Sequence, residues 1–295
     1  PVPYWAHHRG VTHSFLFGPV VGPLAGWVAA RAERWREPLD SGLASPERTR
    51  AWMWLGVAAL ITHPIIDIFT SSGTMVLSPL YATRFAVDAM PIIDPVYSLA
   101  LILALLVGIR ARPRAATLAA ALSLLFVTLY TFGGWAINER VRAVARAEMG
   151  RAGEITAYPL LFQPYYRRIL VMGEGEARVG YYSVLNPQPI SWTAYPLASS
   201  PAIEAVRTSP QGQVFDWFAM DRVLWREGAA EPDGTRVVEG LDLRYGMPGN
   251  EPSLWGLRGR VGSDGALGGT PEAFSVPRVA DGDAWREYWR AITRR

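Results

Sequence analysis

The sequence predicts an α-helical membrane bundle of about four transmembrane helices, followed by a water-soluble α+β domain built on an antiparallel sheet. Three observations carry this expectation. Half of the 295 residues are hydrophobic and only 19% are charged, with the apolar excess in the first half. Four apolar runs succeed one another there with few charges on any face. From Glu154 onward the pattern changes to short runs punctuated by glycine, proline and aspartate. The expected division is 1–137 for the helical part and 138–295 for the domain after it. A buried helical core in a soluble protein is the alternative reading of the same runs.

The first run, FLFGPVVGPLAGWVAA (Phe15 to Ala30), is short and interrupted by Pro19 and Pro23. The second is AWMWLGVAALITHPIIDIF (Ala51 to Phe69), the third PVYSLALILALLVGI (Pro95 to Ile109), and the fourth AATLAAALSLLFVTLYTFGGWAI (Ala115 to Ile137). A spanning helix needs about 20 mostly apolar residues, so the second and fourth qualify directly and the others need flanking residues. Arginines set the orientation. Five lie between Arg31 and Arg50 and three between Arg110 and Arg114, against Arg84 alone between Thr70 and Asp94. The positive-inside rule makes the two rich loops cytoplasmic. The start of the first helix, the end of the second and everything after Asn138 then face outward. The arginines of NERVRAVARAEMGR mildly oppose that placement.

In the second half, RRILVMGEGEARVGYYSVL reads as two strands joined at Gly173-Glu174-Gly175. SPAIEAVRTS and VFDWFAMDRVLWRE have helical spacing, the latter with Phe215, Phe218 and Leu224 on one face. TRVVEGLDLRYG and SLWGLRGRVG read as further strands, and DAWREYWRAITRR as a closing helix capped by Asp283. Asp242 and Arg244 read as a structural strand-end pair, with contact to a ligand as the alternative. Asp94-Pro95 reads as an N-cap and first helical residue.

Composition excludes several classes. There is no cysteine, hence no disulfide and no thiolate metal site. The net charge of +3, carried entirely by arginine among the basic residues, is too small an excess to argue for nucleic acid. No Gly-rich phosphate loop, Gly-x-Ser-x-Gly elbow or His-Glu-x-x-His is present. The chain begins Pro-Val-Pro, from which a missing natural N-terminus is expected, with any signal peptide or preceding helix.

The chain's four histidines occupy two short segments, HHRGVTHS and ITHPIIDIF. His63 and Asp67 stand four apart and share a helical face, where an imidazole and a carboxylate can chelate one ion. An ionisable pair inside a membrane segment is a functional hypothesis by default. A His–Asp hydrogen bond that merely locks the helices is the alternative. His8 and His13 are five apart, off a common face, and Gly10 between them permits a turn, so HRGV reads as a loop that Thr12 or Ser14 closes by capping the first helix. Imidazoles and a carboxylate without thiolates suit a catalytic divalent metal, zinc first, with manganese or iron also open. Such an ion acidifies a water near neutral pH. Arg9 is placed to bind an anionic group, a headgroup-level arginine being the alternative.

HRGVTHS, THPIIDIFTSSGTMVLSPL and RFAVDAMPIIDPVYSL together resemble the YdjM-type family of inner-membrane metal-dependent hydrolases, over a stretch from about His8 to the third helix. YPLLFQPYYRRILV and VGYYSVL look like the outer domain of its longer members. The resemblance implies distant kinship to zinc-dependent phospholipases C and P1-type nucleases. It also implies that His8, His13, His63 and Asp67 are metal-site residues with Arg9, Thr12 and Ser14 around them. His7 falls outside the pattern. The acidic Pro-Asp-x-Asp-like motif that family members carry upstream of the histidines is absent from this sequence.

The expected function is hydrolysis of a phosphoester or related bond of an envelope lipid, in a multi-pass protein of the bacterial inner membrane with its C-terminal domain extracytoplasmic. The partners expected are the bilayer and its lipid substrate. A non-catalytic scaffold whose outer domain recruits a partner is the alternative.

Overall fold

The computed structural model describes residues 2–35, 45–150, 152–160, 163–248 and 252–275. It divides into two compact units, one of residues 7–87 and one of residues 1–6 with 88–295. The closing helix expected at Asp283 lies outside the described residues.

Helix α1 (Val2–His7) is followed by one 3₁₀ turn (Val11–His13) and then by helices α2 (Phe17–Arg34) and α3 (Pro46–Ile68). Neither Thr12 nor Ser14 caps α2. Its N-cap is Leu16, without a side-chain bond, and Ser14 Oγ instead donates to the Val11 carbonyl at 2.8 Å. The 3₁₀ turn ends at His13, so Ser14 serves that turn, and Pro19 in the first turn of α2 removes one donor that a cap would otherwise satisfy. Helix α3 starts conventionally. Ser45 accepts from Arg48 N at 3.2 Å, and Pro46 holds the first helical position.

Helices α2 and α3 pack as an antiparallel hairpin on a stripe of glycines. A Cβ at Gly18 would lie 2.6 Å from Ile61 Cγ1, at Gly22 2.6 Å from Val57 Cα, and at Gly26 2.1 Å from the Trp52 carbonyl oxygen. Gly56 faces Gly22 in the same way. Small residues at this spacing let backbones touch, which is how helices associate where no water drives them together. The run that looked merely short and proline-interrupted is therefore a packing face.

The second unit holds α4 (Pro95–Arg110) and α5 (Pro113–Met149). Asp94 caps α4 as expected, accepting from Val96 N and Tyr97 N at 2.9 and 3.0 Å, and also takes a 2.7 Å bond from Tyr130 of α5. No residue of α4 is buried, although nearly all are apolar. Helix α5 runs twelve residues past Ile137, where the apolar run stops. Its extension buries Asn138, Val141 and Ala145 at helical spacing, with Val141 and Ala145 packing on strand residues Ile155, Ala157, Ile169 and Val171 while Arg140 and Arg146 are exposed.

By length and composition, α3 and α5 can each cross a membrane. The segments Tyr4–His13 and Phe17–Glu33 supply a third crossing only as a broken pair bent by 70°. Helix α4, at 16 residues, is apolar but shorter than a full span, so among the described residues length and composition by themselves identify two crossings, or three with the bent pair.

Beyond α5 the expected antiparallel sheet is two sheets of four strands each, both in sequence order. The first comprises β1 (Glu154–Leu160), β2 (Gln163–Met172), β3 (Glu176–Ser183) and β4 (Thr193–Pro196), with the hairpin at Gly173-Glu174-Gly175 in the expected place. Helices α6 (Pro201–Arg207) and α7 (Pro210–Phe218) precede the second, β5 (Val223–Ala230), β6 (Arg236–Asp242), β7 (Trp255–Val261) and β8 (Glu272–Ser275). The helix expected through VLWRE ends at Phe218. Met220 and Asp221 take left-handed backbone (φ 54° and 60°), so Leu224 is buried from a strand instead.

Leu170 and Val179 of the first sheet share a core with Leu224 and Leu241 of the second. Two buried arginines tie this unit together through carbonyls. Arg167 donates to Asp88, Ala89 and Gly134, each at 2.8 Å, and Arg168 donates to Leu243 at 2.8 Å and to Pro252 at 2.5 Å. Asp242 and Arg244 form the expected structural pair, fully buried at 2.7 Å. Trp5 of α1 belongs to this unit, packed on Phe215 and Phe218 with ring centroids 4.9 and 5.5 Å away.

Candidate metal centre

The candidate centre lies within the residue 7–87 unit, where two segments far apart in sequence are held together by backbone bonds. Gly10 N donates to His7 O at 3.1 Å and His13 N to Gly10 O at 2.8 Å, which folds the chain into the 3₁₀ turn. A Cβ at Gly10 would sit 3.0 Å from the His7 carbonyl and 3.2 Å from Met75 Cε, so the turn is closed to larger residues without adjustment. Met75 N donates to Arg9 O at 3.0 Å and Phe15 N to Val76 O at 2.9 Å, stitching the turn to the stretch that follows α3.

That stretch is itself fixed. Thr74 and Phe85 exchange two backbone bonds of 2.9 and 3.0 Å, and Val87 N returns to Ile68 O at 2.7 Å. Arg84 is buried beneath it and donates to the carbonyls of His8, Ser72 and Gly73 at 3.2, 2.9 and 2.8 Å. Nothing in the spacing of the sequence marks Arg84. Its only sequence signal is a lone arginine in an apolar stretch between two arginine-rich ones.

On the last turns of α3, His63 and Asp67 project together, and His13 comes to meet them. His13, His63 and Asp67 each offer one ligand atom, all within 4.8 Å of one another. Asp67 Oδ2 is 3.6 Å from His13 Nε2 and 3.6 Å from His63 Nε2. At 3.6 Å neither contact is a hydrogen bond. Asp67 Oδ2 is buried with no hydrogen-bond partner, so the simple His–Asp lock is not what the geometry shows. Three ligands of a tetrahedral ion with bonds of about 2.1 Å stand about 3.4 Å apart, close to the two 3.6 Å spacings from Asp67, while the set as a whole lies within 4.8 Å. The donor set, two imidazole nitrogens and a carboxylate oxygen, fits a divalent ion of the zinc type.

The other residues singled out from the sequence fall into place differently. Thr12 Oγ1 lies 2.9 Å from His13 Nδ1, on the ring edge away from Asp67. Arg9 adopts a left-handed backbone (φ 55°) and turns its guanidinium inward. It donates to Thr70 Oγ1 at 2.5 Å and to the Asp67 carbonyl at 3.2 Å, and stands 3.6 Å from Asp67 Oδ1. It is thus committed to holding Asp67, not aimed at an outside anion. Ser14 is fully buried and spent on the Val11 carbonyl. His8 is not a member of the three-residue cluster, and its carbonyl is what Arg84 holds. Sequence reasoning missed Thr70, which accepts from Arg9 and donates to the Asp67 carbonyl at 2.8 Å.

A family model described as YdjM inner membrane protein matches residues 1–139. Over this stretch, just under half of the chain, the sequence is similar to the YdjM family. No curated protein and no solved structure matches the chain. The matched region contains the whole cluster and all of α1 to α4, and it ends at Glu139 within α5, so β1 to β8 lie beyond it. Family and apolar helices together make this a membrane protein.

Proposed function

We propose that the chain is a membrane-embedded, metal-dependent hydrolase of the bacterial inner membrane, with His13, His63 and Asp67 as ligands and a phosphoester or related bond of an envelope lipid as its target. The observation that carries this reading is Asp67 Oδ2, a buried carboxylate oxygen without a hydrogen bond, flanked at equal distance by two imidazole Nε2 atoms. A divalent ion bound there supplies Lewis acidity that acidifies a water and polarises the bond to be cleaved. Zinc is favoured by the donor set, with manganese or iron as the other candidates.

The chain's own residues prepare the site. A proton on His13 Nδ1, donated to Thr12 Oγ1, leaves Nε2 free as a ligand, the usual arrangement of an outer partner for a metal-binding histidine. Arg9 and Thr70 fix Asp67 through its carbonyl, so the carboxylate is oriented before any ion arrives. The His63 side chain is half exposed, leaving one side of the cluster open to a substrate. Sidedness is supported by the arginines: with the loops at Arg31–Arg50 and Arg110–Arg114 cytoplasmic, the residues after Asn138 are extracytoplasmic.

The test is metal analysis of the purified full chain together with hydrolysis of phosphatidylglycerol vesicles. About one equivalent of transition metal is expected, lost in His13→Ala and in Asp67→Asn. Activity should fall as far in either single variant as in the double, because the ligands act as one unit. Full metal occupancy in His13→Ala would overturn the assignment.

A further inference from the structure

The segment after α3 is folded inside out relative to a water-exposed loop. Ser71, Ser72, Thr74, Ser78 and Arg84 are all buried, Arg84 at 6% exposure. Leu77, Leu80, Tyr81 and Phe85 face outward, with Leu80 68% and Tyr81 63% exposed. In water the order should be reversed, since outward apolar side chains forgo burial and inward polar ones forgo hydration. The segment is not loose. The Thr74–Phe85 backbone pair and the bonds from Arg84 to the Ser72 and Gly73 carbonyls pair backbone groups within the segment, and a further Arg84 bond ties it to the His8 carbonyl. Irregular chain is not tolerated facing the hydrocarbon core, so a segment like this, with apolar side chains outside and exposed backbone at its tip, suits the boundary where that backbone still meets water. Continuity gives the same answer, because the segment leaves directly from the end of α3, whose own outward side chains Ile65 and Ile66 are exposed and apolar.

We infer that Leu77–Phe85 is a membrane-embedded rim, seated in the acyl–headgroup boundary beside the metal centre, and that the substrate is a bilayer amphiphile reaching the cluster laterally from the lipid. Tyr81 suits that boundary, with an apolar ring and a hydroxyl at headgroup level. The same segment supplies Met75 and Val76 to the backbone bonds that hold the His13 turn, so the rim and the ligand turn are one rigid piece. A lipid whose tails lie along Leu77, Leu80 and Phe85 would present its headgroup bond at the level of the ligands without leaving the membrane. The substrate class rests on the proposed hydrolase; the depth of the rim does not.

The chain has no cysteine, so single cysteines at Leu80, Ala82 and Ser263 each carry one nitroxide without background. The labelled full chain is reconstituted in phosphatidylethanolamine–phosphatidylglycerol vesicles, and collision with oxygen is compared with collision with a water-soluble nickel chelate. Labels at 80 and 82 should favour oxygen and report a depth of roughly 5–10 Å below the phosphates, while the label at 263 should favour nickel. Nickel access at 80 and 82 equal to that at 263 would overturn the inference, and so would shielding from both reagents, which would mean a protein partner covers the segment. Ala82→Cys replaces a small exposed residue and so keeps the test available if Leu80→Cys misfolds. The expected depth in protein that binds no metal would keep the rim and remove the hydrolase. Metal binding with an aqueous Leu80 would do the reverse.

Discussion

Alanine at Gly22 or Gly26 is expected to weaken the metal centre without touching a ligand. At Gly26 the new Cβ would stand 2.1 Å from the Trp52 carbonyl oxygen and 2.5 Å from Met53 Cα, and at Gly22 2.6 Å from both Val57 Cα and Val57 N. Ordinary contact begins near 3.4 Å, and every one of these neighbours is backbone, so no side chain can swing aside. The helices must part by about 1 Å. Overpacking of this kind costs about 1–3 kcal/mol. The same motion separates His13, which precedes α2, from His63 and Asp67 on α3, so the 3.6 Å spacings cannot both survive. Gly133→Ala is the matched control. A Cβ there meets nothing within 4 Å, and the helix gains up to about 1 kcal/mol of intrinsic propensity. The same chemical change should therefore act with opposite sign at the two kinds of position. Thermal unfolding in detergent measures stability, and titration of metal-stripped protein with zinc measures the centre. Gly22→Ala and Gly26→Ala proteins as stable and as tight for zinc as Gly133→Ala would refute the reasoning.

A cysteine at Ser263 should react with a membrane-impermeant thiol reagent in intact spheroplasts, and labelling only after lysis would reverse the orientation of the whole chain. Arg167→Met should destabilise the second unit by about 3–5 kcal/mol, because three buried carbonyls lose a charge-assisted partner at once. A loss below about 1 kcal/mol in thermal unfolding would show that those carbonyls are satisfied by other groups.

Patterns of composition and short spacing were legible in the chain alone. Long apolar runs announced α3 and α5, the Asp94-Pro95 cap and the Gly-Glu-Gly hairpin appeared where their chemistry put them, and the i, i+4 pair His63–Asp67 was readable as one face of one helix. Each of these depends on residues within a turn or two of one another. Conversely, the end of α5 was misplaced because hydrophobicity stops at Ile137 while the helix continues on Asn138, Val141 and Ala145, which are covered by strands that the local sequence does not reveal. Leu224 moved from an expected helix to a strand for the same reason, since its sheet partner Leu241 lies far along the chain.

What tertiary structure alone decided is how the site is built. A guanidinium beside a histidine looks, in sequence, like an anion receptor. Only the left-handed turn at Arg9 and the approach of Thr70, sixty-one residues away, convert it into the clamp that holds Asp67. Arg84 and the glycine stripe have the same character. Sequence determined that this protein enters a membrane and which residue types are available for a metal, because both follow from local chemistry. Which of those residues converge was decided by long-range hydrogen bonds and by backbones in contact, and neither leaves a periodic trace in the order of amino acids.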